Sequence, residues 1–372
     1  MTNGPNVLSA RGDEWKWRRK ALVPYFQPRA VNPAIFPHLK DLAARNADAM
    51  LTLAESGKEM DVDKETGLLT LDVICLYLFG YPTAELDVSD LGEGGARNMS
   101  AKSQTPQLLL PVIKSTKWAQ RNVDAVRGKL QSFINKAIEK STLLSAADIE
   151  RLGFTTITHN LPGHDTTAHT FTFLLGHLAQ DPKLQESLVD EIHRAFGPSP
   201  IDWSKLCISD FNQLKFATCV IRENLRLHAV APGGLLTCVK DSVIAGIPIP
   251  AGTDLIGNYY GIARDPEYFP DPEAFKPERW ALSEDSVFQE LTGDVSDMTT
   301  KTEAALPELS FALGAHACLG RNLALIEMRV LLAMIIERVV IRPSANTTLE
   351  AIWVLLVTPK NGMNLSFSAH HG

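Results

Sequence analysis

The chain has 372 residues, of which 45% are hydrophobic, so it is long enough to bury a large core as one big domain or two ordinary ones. Its formal net charge is −7 and it has no basic tract, which argues against nucleic acid as a partner. Its 5 cysteines are odd in number, scattered and never spaced C-x-x-C, so the sequence indicates neither a disulfide framework nor a structural zinc site. This cysteine usage is typical of a protein in a reducing compartment.

Apolar residues recur at helical spacing over most of the chain. The predicted helices cover 33–56, 64–79, 119–139, 146–180, 181–196, 210–228 and 319–338. Strand patterns are few and short, at 235–239, 243–256, 338–342 and 352–357. Within 243–256 the order is strand, glycine turn, strand and Pro-Ala-Gly turn. A Pro-rich meander at 265–280 is followed by a polar loop at 281–305.

These elements predict a mainly α protein with a small β-sheet region. We expect the segments 235–256 and 338–357 to form that sheet. The longest apolar runs, at 108–113 and 352–357, are far too short to span a bilayer, and residues 1–15 contain no signal-peptide core. The chain as written is therefore expected to be soluble.

A single cysteine between two glycines marks the stretch 311–328, FALGAHACLGRNLALIEM. Cys318 precedes a predicted helix start, where unpaired backbone N–H groups favour an anion by about 0.3–1 kcal/mol and so favour a thiolate that can bind a soft metal. A buried structural cysteine is the alternative. One thiolate leaves zinc under-coordinated, whereas haem iron needs only one protein ligand.

The pattern F-x-x-G-x-H-x-C-x-G in this stretch resembles the haem-ligand signature of the cytochrome P450 family. It is formed by Phe311, Gly314, His316, Cys318 and Gly320, and His stands where the family usually has Arg. The resemblance implies that Cys318 is the axial ligand of a haem b and that the other four residues form its binding loop.

A second landmark is the W-x-x-x-R spacing of Trp15 and Arg19. Residues four apart project from one helical face, so the indole N–H and the guanidinium can both hold one haem propionate, as the resemblance implies. The alternative is an ordinary basic helix start with the tryptophan in a core.

A third landmark, LPGHDTTAH at 161–169, resembles the family's oxygen-activation motif. By that resemblance Asp165 and Thr166 deliver protons, and Thr166 can bond the carbonyl of residue 162, which keeps a groove open in the helix. Pro162 departs from the family pattern, because it removes one helical N–H. The alternative is a helix that starts at Pro162. The spacing of His159, His164 and His169 does not support a metal cluster.

Two further motifs in the family's order are E-x-x-R at 223–226 and P-E-R-W at 277–280. Glu223 and Arg226 alone read as a surface ion pair. With Arg279 they match a buried network that persists only where its geometry is over-determined, and its implied role is to lock the meander.

The resemblance spans nearly the whole chain and implies one catalytic domain at 1–372. The motifs look most like the fungal microsomal branch, whose enzymes take electrons from NADPH through a flavoprotein reductase at the cytosolic face of the endoplasmic reticulum. The implied function is a monooxygenase that inserts one oxygen atom of O₂ into a hydrophobic small molecule, in fungal secondary metabolism. The expected partners are that reductase and the substrate, with membrane association only through an N-terminal anchor.

Some features depart from the family. Its members carry a longer segment before the W-x-x-x-R helix, where this chain has 14 residues, so we expect a P450 fold that lacks its N-terminal part. Between residues 232 and 241, where the family often has an Arg or His that binds the second haem propionate, this sequence has neither. The alternatives are a haem-binding remnant without turnover and an unrelated hydrolase or helical binding protein. The substrate pocket is expected at Phe154, Ile157, Thr158, Leu161, 229–236 and 360–363.

Overall fold

A computed structural model describes residues 10–79, 162–280, 306–353 and 356–370. Contacts divide the chain into two compact units, a larger one made of Met1–Ala217 with Leu319–Gly372 and a smaller one made of Thr218–Cys318. The expectation of one catalytic domain stays a prediction. The predicted helix at 119–139, the first part of the helix at 146–180 and the predicted loop at 281–305 lie outside the described residues.

The described part of the larger unit is mainly helical. The helices described there are α1 (Gly12–Leu22), α2 (Pro28–Ser56), α3 (Val62–Phe79), α4 (Pro162–Gln180), α5 (Pro182–Phe196), the start of α6 (Lys215–Leu227) and α8 (Arg321–Ile336). Helix α2 begins before the predicted residue 33, because Pro28 occupies a first helical position, where proline is favoured, and the helix continues through Pro33 and Pro37.

The core of the larger unit forms where α3 packs against α4 and α8 against α2. The apolar residues Leu323, Ile326, Val330 and Met334 repeat at helical spacing on α8, and their side chains are 4%, 7%, 0% and 3% exposed. Every residue from Ile326 to Ile336 is buried. Because this part of α8 is buried on all sides, with Glu327 and Arg329 among its buried residues, α8 is a central element of this unit.

Two small antiparallel sheets lie among the described residues of the larger unit. The strands β1 (Met60–Asp61), β9 (Asn364–Ala369) and β6 (Val339–Pro343) pair in that order, and β7 (Ala351–Trp353) pairs with β8 (Val357–Pro359). The strand predicted over 352–357 is therefore wrong as a single element, because its two ends belong to opposite arms of a hairpin. Strand β9 was missed, although its alternating burial has the period of two that a strand requires.

In the part of the smaller unit that the structure describes, two antiparallel strand pairs are present. Strand β2 (Gly233–Thr237) pairs with β5 (Asp254–Asn258), and β3 (Ser242–Ile244) pairs with β4 (Ile247–Ile249). The predicted glycine turn between β3 and β4 is confirmed, since Gly246 has φ +80°. The expectation that 235–256 and 338–357 share one sheet is wrong: among the described residues their strands lie in separate sheets, because each pairs with a partner in its own unit.

Besides the end of α6, the other described parts of the smaller unit are short helical turns and connecting chain. The four-residue helix α7 (Tyr259–Ile262) follows β5, and 3₁₀ turns cover Pro277–Trp280, Leu306–Phe311 and Gly314–His316. Among the described helices of the whole chain, none is long and apolar enough to cross a membrane.

Candidate functional site

Cys318 ends a closed loop in the smaller unit. Its backbone N–H donates to the carbonyl of Phe311 at 2.7 Å, and the N–H of Ala317 donates to the carbonyl of Gly314 at 3.0 Å. The hydroxyl of Ser310 donates to the carbonyl of Leu225 at 2.7 Å, which fixes the start of the loop to α6. Local backbone bonds therefore define where the thiol stands.

The loop presents its thiol outward. Cys318, Gly314 and His316 are exposed, and Phe311 is half-buried. Gly314 has φ +68°, and a Cβ built there meets no atom within 4 Å, so the loop has open space above it. One exposed soft sulfur on an open glycine loop is a donor set that fits a flat cofactor with a single axial ligand, which is the case of haem.

Trp15 and Arg19 lie on one face of α1 in the larger unit. Both are half-buried, and the guanidinium carbon of Arg19 lies 5.8 Å from the centroid of the Trp15 ring. A neighbouring set forms its own network: the indole N–H of Trp17 and the guanidinium of Arg18 bond Glu14 and lower the pKa of that carboxyl. The predicted pairing of Trp15 and Arg19 on one helical face is thus present.

Asp165 and Thr166 lie in the first described turns of α4. Asp165 is buried, and its Oδ1 lies 2.9 Å from Nε2 of His164, whose side chain is equally buried. Thr166 is half-buried, and its carbonyl accepts the hydroxyl of Thr170 at 2.7 Å. The bond from Thr166 to the carbonyl of residue 162 stays a prediction. The residues before Pro162 lie outside the described part of the chain, so the alternative of a helix that starts at Pro162 stays a prediction.

Sequence reasoning missed a set of buried polar contacts between α3 and α4. Nδ1 of His169 lies 2.8 Å from Asp63, the hydroxyls of Thr66 and Thr172 are 2.7 Å apart, and the hydroxyl of Thr70 donates to the carbonyl of His164 at 3.0 Å. We call these residues the α3–α4 seam. The sequence signal was the spacing of Asp63, Thr66 and Thr70 by three and four residues, which indicates one shared face but no partner.

The network predicted around Glu223 is present in the smaller unit. Arg226 donates to both carboxylate oxygens, at 2.8 and 3.0 Å, and Nε of Arg279 lies 3.2 Å from Oε1. The indole N–H of Trp280 and the backbone N–H of Lys276 bond the same carboxylate at 3.1 and 2.8 Å. Glu223 is 0% exposed and Arg226 is 2% exposed. The pair is therefore a buried anchor and not a surface ion pair.

The predicted site residues divide between the two units. Trp15, Arg19, Asp165, Thr166 and Gly320 belong to the larger unit, and Phe311, Gly314, His316 and Cys318 belong to the smaller one. Their roles stay predictions. Of the expected pocket, Phe154, Ile157, Thr158 and Leu161 lie outside the described residues, and Met363 is fully buried against the position of Gly176.

Comparison with known proteins gives consistent matches. The curated relatives include the sterol 26-hydroxylase, mitochondrial, of Homo sapiens, 30% identical over 209 residues that span 56% of this chain and 36% of that protein. They also include cytochrome P450 4V2 of Rattus norvegicus, 27% identical over 99% of this chain and 74% of that protein. The chain thus spans between about a third and three quarters of the length of these relatives.

Solved structures share the fold. A crystal structure of a cytochrome P450 (CYP102L1) has a TM-score of 0.75 and 19% identity, over 99% of this chain and 85% of that one. The haem domain of a cytochrome P450DA mutant has a TM-score of 0.77 at 19% identity, over 100% of this chain and 81% of that one. The predicted mainly α fold with a small β region is confirmed. Because residues 96–367 match the sequence model of the family described as Cytochrome P450, the chain belongs to that family.

Proposed function

We propose that this protein is a haem-thiolate monooxygenase that inserts one oxygen atom of O₂ into a hydrophobic small molecule. The observation that carries the proposal is the closed, exposed glycine loop that ends at Cys318, in a chain of the cytochrome P450 family. When bound, a haem with a thiolate ligand supplies redox-active iron and favours cleavage of the O–O bond.

In this proposal the Cys318 thiolate would bind the iron, and Phe311, Gly314, His316 and Gly320 would shape the loop around it. Trp15 and Arg19 bind a propionate, with the charge-assisted bond of the guanidinium the stronger of the two. Support for the last point is their shared, half-buried face on α1.

Asp165 and Thr166 hold and move protons. Asp165 takes its proton on its carboxyl group, whose Oδ1 lies 2.9 Å from Nε2 of His164, and Thr166 passes it on through its hydroxyl. Positioned proton transfer of this kind is worth about 10²–10⁴ in rate. Burial of Asp165 supports the assignment, because a carboxyl away from bulk water exchanges its proton with chosen neighbours instead of with solvent.

The partners follow from the reaction class. An NADPH-dependent flavoprotein reductase supplies the electrons, and the substrate is hydrophobic. One relative is by name a sterol 26-hydroxylase, which supports a sterol-sized apolar substrate; the assignment to fungal secondary metabolism stays a prediction. So does the endoplasmic reticulum membrane, since that relative is by name mitochondrial, and fractionation of a cell expressing the tagged protein tests the location.

The test begins with the spectrum of the reduced, carbon monoxide-bound protein, reconstituted with haem. The unmodified protein is expected to give a thiolate-type band, and Cys318→Ser is expected to lose it, because serine offers a hard, poorly ionised oxygen. Cys207→Ser is the matched control, because it removes another exposed thiol of the chain. A thiolate-type band that survives Cys318→Ser, or disappears in Cys207→Ser, refutes the ligand assignment.

Turnover separates the enzyme from a haem-binding remnant. The reconstituted protein is supplied with reductase, NADPH and O₂ labelled with ¹⁸O, together with a panel of hydrophobic molecules that includes cholesterol. An active enzyme places one labelled atom in the product. A normal thiolate band without any oxygenated product favours the remnant.

A further inference from the structure

Helix α3 aligns three polar side chains with α4. Asp63, Thr66 and Thr70 are spaced by three and four residues, so they share one helical face, and each meets a polar group of α4 in the α3–α4 seam. The two threonines are almost completely buried, at 3% and 0% exposed. Of the three contacts, the one made by Thr70 is to His164, the residue that directly precedes Asp165.

The Thr70 hydroxyl is committed to that contact. Its oxygen lies 3.0 Å from the carbonyl oxygen of His164 and 3.4 Å from the carbonyl oxygen of Gly67 in its own helix. A hydroxyl has one proton to donate, and the shorter contact is the stronger bond. Ile74, one turn further along α3, lies 3.4 Å from a Cβ built on Gly163. Helix α3 therefore contacts α4 closely at the residues that precede Asp165.

The carbonyl of His164 belongs to the peptide unit that joins His164 to Asp165. Because a peptide is planar, a bond that fixes this carbonyl also fixes the N–H and the Cα of Asp165. The side chain of Asp165 is in turn 2.9 Å from the His164 ring, so both ends of the aspartate are set by the residue whose carbonyl Thr70 holds.

Hydroxyl groups also bond two other carbonyls of this helix segment. Thr170 donates to the carbonyl of Thr166 at 2.7 Å and Thr172 donates to that of Ala168 at 2.9 Å. Those donors come from the same helix four residues on, a pattern that bends helices. The donor to His164 comes from another helix, so it resists movement of this segment of α4 relative to α3.

We propose that Thr70 is a positioning residue that holds the peptide between His164 and Asp165 and thereby orients the Asp165–Thr166 pair for proton transfer. The proposal rests on the proposed function. Loss of the hydroxyl leaves α4 folded but lets this peptide shift. Proton transfer then becomes less efficient, and more of the electrons from NADPH form peroxide instead of oxygenated product.

The variants are Thr70→Val, which keeps the shape and removes the hydroxyl, and Thr70→Ser, which restores it. Thr66→Val is the matched control, because it removes a buried threonine hydroxyl from the same face of α3 whose α4 partner is Thr172 and not the motif. All three are compared with the unmodified protein by haem content and by the carbon monoxide spectrum, which we expect to be unchanged.

The first readout is hydrogen exchange of peptides that cover 162–180. Thr70→Val is expected to speed exchange around Asp165 by about fivefold, the factor that corresponds to a hydrogen bond of about 1 kcal/mol, and Thr70→Ser is expected to restore protection. Thr66→Val is expected to act nearer Thr172. The same exchange profile in both valine variants overturns the proposal.

The second readout is oxygenated product per NADPH, with cholesterol and dodecanoic acid as probes. Thr70→Val is expected to lower this ratio about fivefold and to release more peroxide, whereas Thr66→Val and Thr70→Ser stay near the unmodified value. An unchanged ratio in Thr70→Val, in a protein that keeps its thiolate band and its turnover, overturns the role of Thr70 alone. A protein without the band or without product from either probe overturns the proposed function, and the role of Thr70 falls with it.

Discussion

Replacement of Glu223 by glutamine tests the buried anchor of the smaller unit. The carboxylate accepts bonds from two guanidinium groups, an indole and a backbone N–H, those of Arg226, Arg279, Trp280 and Lys276. Glutamine keeps the shape of the side chain but removes the negative charge, and its amide group places N–H donors opposite other donors. The guanidinium of Arg226, whose side chain is 1% exposed, then keeps a positive charge that the side chain at position 223 no longer compensates.

The expected loss is about 3–5 kcal/mol of the free energy of unfolding, the range for removing one partner of a buried ion pair. Three carbonyl oxygens, those of Ala263, Pro272 and Ala274, also accept from Arg226, so the guanidinium cannot leave without breaking further bonds. This restraint argues for the upper half of the range, since relaxation is the usual way in which such a loss is reduced.

Urea unfolding followed by circular dichroism measures the loss. With a slope of about 3 kcal/mol per molar urea, the midpoint falls by about 1–1.7 M while the slope stays the same. Glu278→Gln is the control, because Glu278 is exposed in the same 3₁₀ turn as Arg279, and we expect it to change stability by less than about 0.5 kcal/mol. Equal midpoints for the two glutamine variants refute the anchor.

Burial lowers the pKa of His177 from 6.5 to about 4. Between these pH values the unfolded chain binds a proton that the folded chain does not, so the free energy of unfolding falls as the pH falls, by up to about 1.4 kcal/mol per pH unit. His177→Gln is expected to flatten this part of the stability profile, and an unchanged slope contradicts it. Burial raises the pKa of Glu327 well above 4.5, so its contribution to stability is lost as the pH rises. We expect Glu327→Gln to be more stable than the unmodified protein at pH 8 and to show the smallest gain at pH 4. A difference in the free energy of unfolding that stays constant with pH contradicts this expectation. Thr166→Ala is expected to keep NADPH oxidation and the thiolate band but to release more peroxide and less product, and equal product per NADPH removes its proposed role.

Sequence motifs predicted side-chain contacts most successfully where two residues of one helix interact at a fixed spacing. Glu223 and Arg226 are three residues apart on α6, and the spacing alone places them on one face, so only the distant Arg279 needed the family resemblance. The roles of Trp280 and the N–H of Lys276 were not predictable, because they depend on how the meander folds back on α6. The pair Trp15 and Arg19 was predictable for the same reason as the first pair.

Contacts between distant segments were beyond sequence reasoning. Thr70 and His164 are 94 residues apart, and the bond joins a side chain to a backbone carbonyl, which leaves no residue pattern at the acceptor. Strand β9 was missed because serines alternate with Leu365 and Phe367 in a short segment near the end of the chain, where the polar residues resemble a loop. Both features depend on packing that forms only in the folded unit.

The pairing of β1 with β9 sets a condition on how the protein is made. The backbone N–H of Met363 donates to Asp61 at 3.1 Å across 302 residues, and Met60 stands opposite Leu365 in the sheet. Strand β9 must therefore leave the ribosome before it can pair with β1, and α2 and α3 expose apolar faces until then. Holding chaperones should bind chains that stop before 360, and should release chains that include β9 once that strand is outside the ribosome.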